Sequence, residues 1–380
     1  MIKLTFGVKF FLLGLGLVAT SIFGVWTLDR SNDTTTASSL TPPVSSTDPI
    51  PIVPFTFPNL LNITPDEPTK TASVFLRPRA VAAISTSTNP VTQAEAPLWP
   101  AGRYRNLVFD ETASEKDITY KSTYHTIFSI NGNLNYQLVD DMTSPVDLKL
   151  NIYQPIGDTQ AKRPLIIFVY GGGWIEGDRY QQEASAIDFA RRGYVTMTMD
   201  YTMMPPGNQL NPVPDPDGQV YPRIVDKSAT NIYEVYQWAL ARKDIYRIDE
   251  SRIGLGGWSA GGLISQALVH ISSFPTPYGI RAVLGDSNIL PAAIASAPPL
   301  GGMRTFDANF QPVSMFASYE DDTGFAGTPN DHAADCAYLD SIGHRCITVT
   351  YPGEGHELSF SESPNQADAI DFFATYIMGR

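Results

Sequence analysis

Hydrophobic and polar positions follow two alternating patterns across residues 101–380. Continuous apolar runs, typical of strands buried on both faces, occur at Pro164–Tyr170, Val195–Tyr201, Arg252–Gly257, Ala292–Ala297, Pro312–Ala317 and Cys346–Tyr351. Apolar residues at helical spacing lie between or after these runs, at Ala184–Arg192, Asp226–Arg242, Ala260–Ile271, Asp331–Ile342 and Gln366–Met378. Strands that alternate with helices predict an α/β fold with a mostly parallel central sheet and helices on both faces.

The segment before the first apolar run has a strand pattern of its own. Residues Asp147–Tyr153 alternate apolar and polar side chains, which predicts a half-buried strand. The dipeptide Asn131-Gly132 lies between alternating flanks and is typical of a hairpin turn. We therefore expect a β-hairpin ahead of the strand–helix units.

Residues 1–100 lack these patterns. Lys3 and Lys9 lead into the apolar run Phe10–Trp26, so residues 1–30 are expected to be either a cleaved signal peptide or a membrane anchor. Residues 31–100 are rich in Ser, Thr and Pro and predict a flexible linker. The folded domain is then 101–380, exported and either secreted, periplasmic or anchored facing outward.

Composition narrows the range of partners. With 39 acidic and 26 basic residues the net charge is −13, which argues against nucleic acid and anionic lipid as main partners. Cys336 and Cys346 are the two cysteines. In an exported protein such a pair predicts a disulfide, with two buried free thiols as the alternative.

The strongest chemical signal is the sequence GWSAGG at Gly257–Gly262, between a predicted strand and a predicted helix. A serine hydroxyl is a poor nucleophile unless it is held clear of its own backbone and beside a base. A strained strand-to-helix turn exposes the hydroxyl, and glycines on either side avoid clashes in that turn. The motif predicts Ser259 as a nucleophile.

A second signal is the glycine loop Tyr170–Trp174, with the sequence YGGGW, at the end of the first buried strand. Consecutive glycines let backbone N–H groups turn toward a ligand oxygen, and with the N–H of Ala260 they could bind an oxyanion. A tight loop without chemistry is the alternative. Both motifs follow predicted parallel strands, at the edge where open sheets bind ligands.

A base and an acid are expected at the same edge. Of the five histidines, His356 follows the last predicted strand, which is where the chain order Ser, acid, His puts the base. The others are expected to be structural (His125 and His270) or exposed (His332 and His344).

The acid is expected after the strand Pro312–Ala317, where Glu320, Asp321 and Asp322 are adjacent. A buried carboxylate there would accept from the imidazole Nδ1–H and fix its tautomer. No cofactor is expected: no residues have metal-ligand spacing, and the glycine loop lacks the Lys-Ser/Thr of phosphate-binding loops.

These motifs resemble those of secreted carboxylesterases of the α/β-hydrolase fold that carry an HGGGW loop, close to the hormone-sensitive-lipase type. The likeness covers roughly residues 103–380 and includes the glycine loop, the GWSAGG motif and the sequence YPGEGH that ends at His356. It implies an α/β-hydrolase fold and a Ser-His-Asp triad, with Asp322 as the acid and Asp321 as second choice.

The resemblance also implies oxyanion donors at Gly172, Gly173 and Ala260. The sequence departs from the family at Tyr170, which replaces the histidine of the loop, so the loop's internal hydrogen bonding is expected to differ. Trp174 and Trp258 either line the acyl pocket or pack in the core.

Three functions remain open on this basis. The first is hydrolysis of carboxylic esters, carried by a small molecule or a polymer. The second is a serine peptidase of the prolyl-oligopeptidase kind. Against it, the region before the catalytic domain is predicted to be a tether and not a large propeller domain. The third is a catalytically silent hydrolase fold used for binding. The segment Met203–Tyr221 is expected to border the pocket as an insertion.

Overall fold

The computed structural model describes most of the domain expected at residues 101–380. The described residues are 102–130, 136–204, 220–287, 302–320, 322, 328–353, 355–356 and 358–379. The predicted leader and linker (residues 1–100) lie outside them, as do the predicted turn Asn131-Gly132, the predicted strand Ala292–Ala297 and most of the Met203–Tyr221 insertion.

The strands of the described residues form one eight-stranded sheet. In chain order they are β1 (Thr112–Ile130), β2 (Tyr136–Pro155), β3 (Arg163–Val169), β4 (Val195–Met199), β5 (Ile248–Gly257), β6 (Ile280–Gly285), β7 (Val313–Tyr319) and β8 (Cys346–Tyr351). Their spatial order is β1-β2-β4-β3-β5-β6-β7-β8, antiparallel from β1 through β4 and parallel from β4 to β8. This is the topology of the α/β-hydrolase fold, so the predicted fold class is confirmed.

Helices connect the parallel strands, close to where the sequence predicts them. They are α1 (Glu183–Arg191), which follows a 3₁₀ turn at Arg179–Gln182, α2 (Val220–Ala241), the short α3 (Lys243–Tyr246), α4 (Ala260–His270), α5 (Pro329–Ser341) and α6 (Asn365–Tyr376). Thr328 and Asp331 form a capping box that begins α5, because each side chain accepts from the other residue's backbone N–H.

The core lies on both faces of the sheet, as expected for parallel strands crossed by helices. Leu165, Ile167 and Val169 of β3 pack in a cluster with α2, α4 and α5. Ile166 and Phe168 face the other way and pack with α1 and α6. Every residue of β3 is buried, which confirms the interpretation of its continuous apolar run.

One predicted strand is more buried than expected, and another strand was not predicted. Asn151 and Tyr153 of β2 are buried together with the apolar face, because Arg179 donates to the Asn151 Oδ1 at 3.1 Å and Tyr153 donates to Glu183 at 3.1 Å. Strand β6 was not predicted, since the exposed Arg281 interrupts its apolar run. The β1–β2 pairing does confirm the expected hairpin, whose strands end at Ile130 and begin again at Tyr136.

The predicted disulfide is present. Cys336 on α5 is bonded to Cys346 at the start of β8. A crosslink across this short a loop is expected to stabilise the fold by about 3 kcal/mol through the entropy of the unfolded chain. It joins α5 and β8, which lie in the chain between Asp322 and His356, the predicted acid and base.

The exposure predicted for His332 and His344 was wrong, since each is only 1% exposed. The Nδ1 of His344 lies 3.1 Å from the Nδ1 of His270, and the Nε2 of His270 lies 2.7 Å from the hydroxyl of Ser314. Burial lowers the pKa of His344 to about 4 and that of His270 well below its usual value. Two nitrogens in contact also require that at least one ring is neutral.

We predict that lowering the pH from 7.5 to 5 makes His344→Gln more stable relative to the wild type, because the wild type loses the contribution of His344. The unfolded chain binds protons at a histidine pKa of about 6.5, above the folded values. Stability is therefore lost as the pH falls from about 6.5 toward the folded pKa of His344, about 4.

Differential scanning fluorimetry at pH 5, 6, 7.5 and 8.5 measures this effect. The interval from pH 7.5 to 8.5 serves as the internal control, because both histidines are neutral there in either state. The same pH dependence in wild type and His344→Gln would contradict the prediction, whatever the absolute stability of the variant.

Candidate active site

Ser259 lies in the sharp turn between β5 and α4. Its φ of +52° and ψ of −128° are unusual for a residue with a side chain. The flanking glycines leave no room for a Cβ, which would lie 2.4 Å from the Gly261 carbonyl oxygen at Gly257 and 2.3 Å from the Tyr170 carbonyl oxygen at Gly261. The motif thus folds into the strained strand-to-helix turn expected from the sequence, and the Ser259 side chain is partly exposed.

The glycine loop after β3 lies directly against this turn. A Cβ at Gly171 would be 2.8 Å from the Cβ of Ser259 and 2.8 Å from the ring of Trp258. The next three residues have positive φ: Gly172 at +105°, Gly173 at +59° and Trp174 at +62°. Two of these left-handed positions are glycines, which adopt such conformations without the strain that a side chain would add.

The third expected oxyanion donor, Ala260, follows Ser259 directly and is the first residue of α4. The first N–H groups of a helix have no partner within the helix. The positive end of the helix dipole adds to the attraction for an anion at such a position.

The glycine loop is held by tyrosines in place of the family's histidine. Tyr170 is buried, and its ring stacks on Tyr201 with centroids 4.4 Å apart. The Tyr201 hydroxyl lies within hydrogen-bonding distance of the carbonyl oxygens of Tyr170 (3.1 Å) and Gly171 (3.2 Å). The carbonyl oxygens at the start of the loop are thus bonded by the Tyr201 hydroxyl, and Tyr170 contributes its ring to the stack.

The two tryptophans beside the motifs have different surroundings. Trp174 is buried and its indole N–H donates to the Ser228 hydroxyl at 2.8 Å, so it packs in the core. Trp258 is partly exposed, and its ring meets the ring of His356 edge-on with centroids 5.9 Å apart. His356 therefore lies beside the residue that precedes Ser259.

His356 is paired with a carboxylate. Its Nδ1 lies 3.2 Å from the Oδ2 of Asp322, whose side chain is 2% exposed, whereas the imidazole is 34% exposed. A carboxylate that accepts from Nδ1–H leaves Nε2 as the acceptor nitrogen of the neutral ring. Glu320 is exposed, and Asp321 lies outside the described residues.

The topology explains why these residues meet. Ser259, Asp322 and His356 follow β5, β7 and β8, and the glycine loop follows β3. Parallel strands end at the same edge of the sheet, so residues far apart in the chain are gathered there. Among the described residues, no three His, Cys, Asp or Glu side chains are grouped in a way that could hold a metal ion.

Sequence analysis missed one residue of this site, Asp286. It follows β6 directly, is fully buried, and its Oδ1 accepts a hydrogen bond from the backbone N–H of Ser259. Ser287 donates from its hydroxyl to the carbonyl oxygen of Ser259 at 2.6 Å. The available signal was an Asp-Ser pair at the end of a strand, but β6 itself was not recognised.

The electrostatics of Asp286 are unusual for a carboxyl group. Burial raises its pKa to about 7, against the opposing effects of His356 and of the Ser259 N–H. Within the described part of the chain, its Oδ2 has no hydrogen-bond partner. The site therefore contains a second carboxyl group that exchanges a proton near neutral pH.

Part of this chain is similar in sequence to known proteins. The BD-FAE family model matches residues 150–273, which contain both the glycine loop and the GWSAGG motif. Esterase LipC of Mycobacterium tuberculosis is 28% identical over 132 residues, which cover 34% of this chain and 28% of that protein. The chain thus matches less than a third of the length of this curated relative.

Two esterases are among the similar solved structures. Est2, a thermophilic esterase of the Planctomycetes species Thermogutta terrifontis, is 19% identical with a TM-score of 0.48, and the match covers 69% of this chain and 91% of Est2. Esterase B of Lactobacillus rhamnosis is 16% identical with a TM-score of 0.45, over 72% and 87% of the two chains. The resemblance to α/β-hydrolase carboxylesterases is confirmed by the BD-FAE family model and by the match to Esterase LipC.

We predict that Asp286→Asn becomes more stable than the wild type as the pH rises from 4 to 8. The folded pKa of about 7 lies above the usual value of 3.8, so the folded protein binds the proton more tightly. The wild type therefore loses stability as the pH rises through this window, by on the order of 4 kcal/mol in full. Asparagine resembles the protonated carboxyl and does not titrate.

Urea unfolding of both proteins at pH 4.5, 6 and 8 measures the difference. The free energy of unfolding of Asp286→Asn minus that of the wild type should grow with pH. A difference that is constant across the three pH values would show that the substitution acts through packing rather than through the proton.

Proposed function

We propose that this chain is a serine hydrolase that cleaves carboxylic esters through an acyl-enzyme. The observation that carries the proposal is the meeting of three separate loops at one edge of the sheet. Gly171 touches the turn that holds Ser259, Trp258 touches His356, and His356 is bonded to Asp322. The confirmed resemblance to carboxylesterases favours esters as the substrate class.

In the proposed reaction His356 takes the proton of Ser259 through Nε2 while the alkoxide attacks the ester carbonyl. Asp322 accepts from Nδ1–H, which holds the ring in the required tautomer and stabilises the imidazolium. The proton then passes to the departing alcohol, and an acyl group remains on Ser259. Water, activated by the same imidazole, cleaves this acyl-enzyme and restores the hydroxyl.

The negative charge that develops on the carbonyl oxygen needs donors. Gly172, Gly173 and Ala260 are proposed to supply them from the backbone, which costs no reorganisation during the reaction. Support comes from the left-handed conformations at Gly172 and Gly173 and from the position of Ala260 at the start of α4. Loss of one such donor typically costs 10²- to 10³-fold in kcat.

We also propose that the protein works outside the cytoplasm. The Cys336–Cys346 disulfide supports an oxidising compartment. The apolar run Phe10–Trp26, a signal peptide or anchor in this proposal, lies outside the described residues. Within those residues, no helix combines the length and apolar character needed to span a membrane.

We predict that the purified protein hydrolyses p-nitrophenyl acetate and butyrate, and that Ser259→Ala lowers kcat by at least 10³-fold, since the nucleophile is lost. Initial rates on acyl chains of two to twelve carbons measure this and reveal the acyl preference. A prolyl p-nitroanilide belongs in the same panel. Equal ester hydrolysis by wild type and Ser259→Ala, or faster cleavage of the anilide than of the esters, would overturn the proposal.

The acid is tested by two neighbouring substitutions. Asp322→Asn is expected to lower kcat by about 10³- to 10⁴-fold, because the amide can hold the imidazole in the wrong tautomer. Asp321→Asn is the matched control and is expected to change kcat by less than about 3-fold, because Asp322 still accepts from the imidazole. The opposite ranking would assign the acid to Asp321.

A further inference from the structure

The segment that follows β6 binds both peptide groups of the nucleophile. The Asp286 Oδ1 accepts from the Ser259 N–H, and the Ser287 hydroxyl donates to the Ser259 carbonyl oxygen at 2.6 Å. The same hydroxyl lies 3.3 Å from the Asp286 Oδ1, so the two side chains also contact each other. Neither residue is a member of the proposed triad or of the proposed oxyanion hole.

The backbone of Ser259 needs such support. A non-glycine residue at a φ of +52° is strained and persists only where its surroundings impose that conformation. The Ser259 carbonyl has a second donor, the N–H of Leu263 at 3.0 Å. Among the described residues, the Ser259 N–H donates to Asp286. The Ser259 carbonyl thus accepts from two donors, whereas the Ser259 N–H is bonded to Asp286.

The contact is also close. A Cβ at Gly262 would lie 2.9 Å from the Asp286 Oδ1, so this last glycine of the motif lets the first turn of α4 approach the carboxyl. The neighbouring strand contributes as well, since a Cβ at Gly285 would lie 3.0 Å from the Cα of Gly262. The end of β6 and the start of α4 thus pack backbone against backbone around Asp286.

A buried carboxyl is a costly choice for a role that a neutral acceptor could fill. The fully buried Asp286 interacts electrostatically with His356, favourably when the imidazole is charged, and with Asp322, unfavourably. It therefore lies within the electrostatic field of the pair that the reaction uses, while its Oδ1 is bonded to the nucleophile's backbone.

We propose that Asp286 is a positioning residue for ester hydrolysis, which holds the Ser259 backbone so that its hydroxyl faces His356 and the Ala260 N–H faces the oxyanion. The proposal rests on the proposed function. Asp286 acts through the Ser259 peptide and does not touch substrate. Its contribution belongs to the chemical step and should leave substrate binding nearly unchanged.

The test compares three variants with the wild type on p-nitrophenyl butyrate. Asp286→Ala removes the acceptor and is expected to lower kcat by about 10- to 100-fold with KM changed by less than about 3-fold. Asp286→Asn keeps an oxygen in place and is expected to restore kcat to within about 3-fold of the wild type. Ser287→Ala is expected to lower kcat by less than about 10-fold, because Leu263 still donates to the carbonyl oxygen.

Matched controls separate positioning from folding. Ser265→Ala removes a buried hydroxyl that bonds the Gly261 carbonyl at 2.7 Å in the same helix, and kcat should not change. The double variant Asp286→Ala/Ser287→Ala should lose less than the product of the two single losses, because both act on one residue. Melting temperatures of all variants are recorded. If Asp286→Ala does not fold, Asp286→Leu, which has nearly the size of the asparagine variant but no acceptor, takes its place in the comparison with Asp286→Asn.

The rate of Ser259 labelling by a fluorophosphonate is measured in parallel, since it reports the nucleophile without turnover. Wild-type kcat in Asp286→Ala, an equal loss in Asp286→Asn and Asp286→Ala, or a rise in KM alone would overturn the inference while leaving ester hydrolysis standing. A wild type that neither hydrolyses esters nor reacts with the probe would overturn the proposed function and the inference with it.

Discussion

The close approach of two backbones is the constraint on which the site depends. A Cβ at Gly261 would lie only 2.3 Å from each of the carbonyl oxygens of Val169 and Tyr170, at the end of β3. Gly171 makes the reciprocal approach to Ser259 and Trp258. Because these positions have no side chains, the loop after β3 and the turn after β5 lie in direct contact. The glycine loop therefore lies beside Ser259.

Residues that follow three other strands make hydrogen bonds around this contact. Tyr201, beyond the end of β4, bonds the carbonyls of the glycine loop. Asp286 and Ser287, beyond β6, bond the peptides of Ser259. Asp322, beyond β7, orients His356. Each comes from the carboxyl end of a neighbouring strand, so the order of strands in the sheet determines which residues can take part.

The sequence predicted those features that depend on local pattern. The fold class, the helices other than α3 and the strands β3, β4, β5, β7 and β8 follow from continuous apolar runs and helical spacing. The strained turn at Ser259 follows from glycines that flank a serine. The proximity of His356 to Asp322 is a consequence of strand ends sharing one edge of the sheet. These inferences need only the periodicity of the chain and the rules of parallel sheets.

The sequence failed where tertiary contacts decide the outcome. His332 and His344 were expected at the surface because they flank a helix, but they are buried, and His344 pairs with His270, which is distant in the chain. Asn151 is polar and yet buried because Arg179 binds it. Asp286 was missed because Arg281 obscured β6. A polar residue gives no local sign that a partner elsewhere in the chain will satisfy it.

The bond between Cys336 and Cys346 has a consequence for the integrity of the chain. Between these cysteines, residues 341–343 are exposed at the end of α5, where a protease could reach them. A cut there leaves two fragments, one with Ser259 and Asp322 and the other with His356. Because the disulfide spans the cut, the fragments stay covalently joined, and a nicked molecule keeps His356 tethered to Asp322.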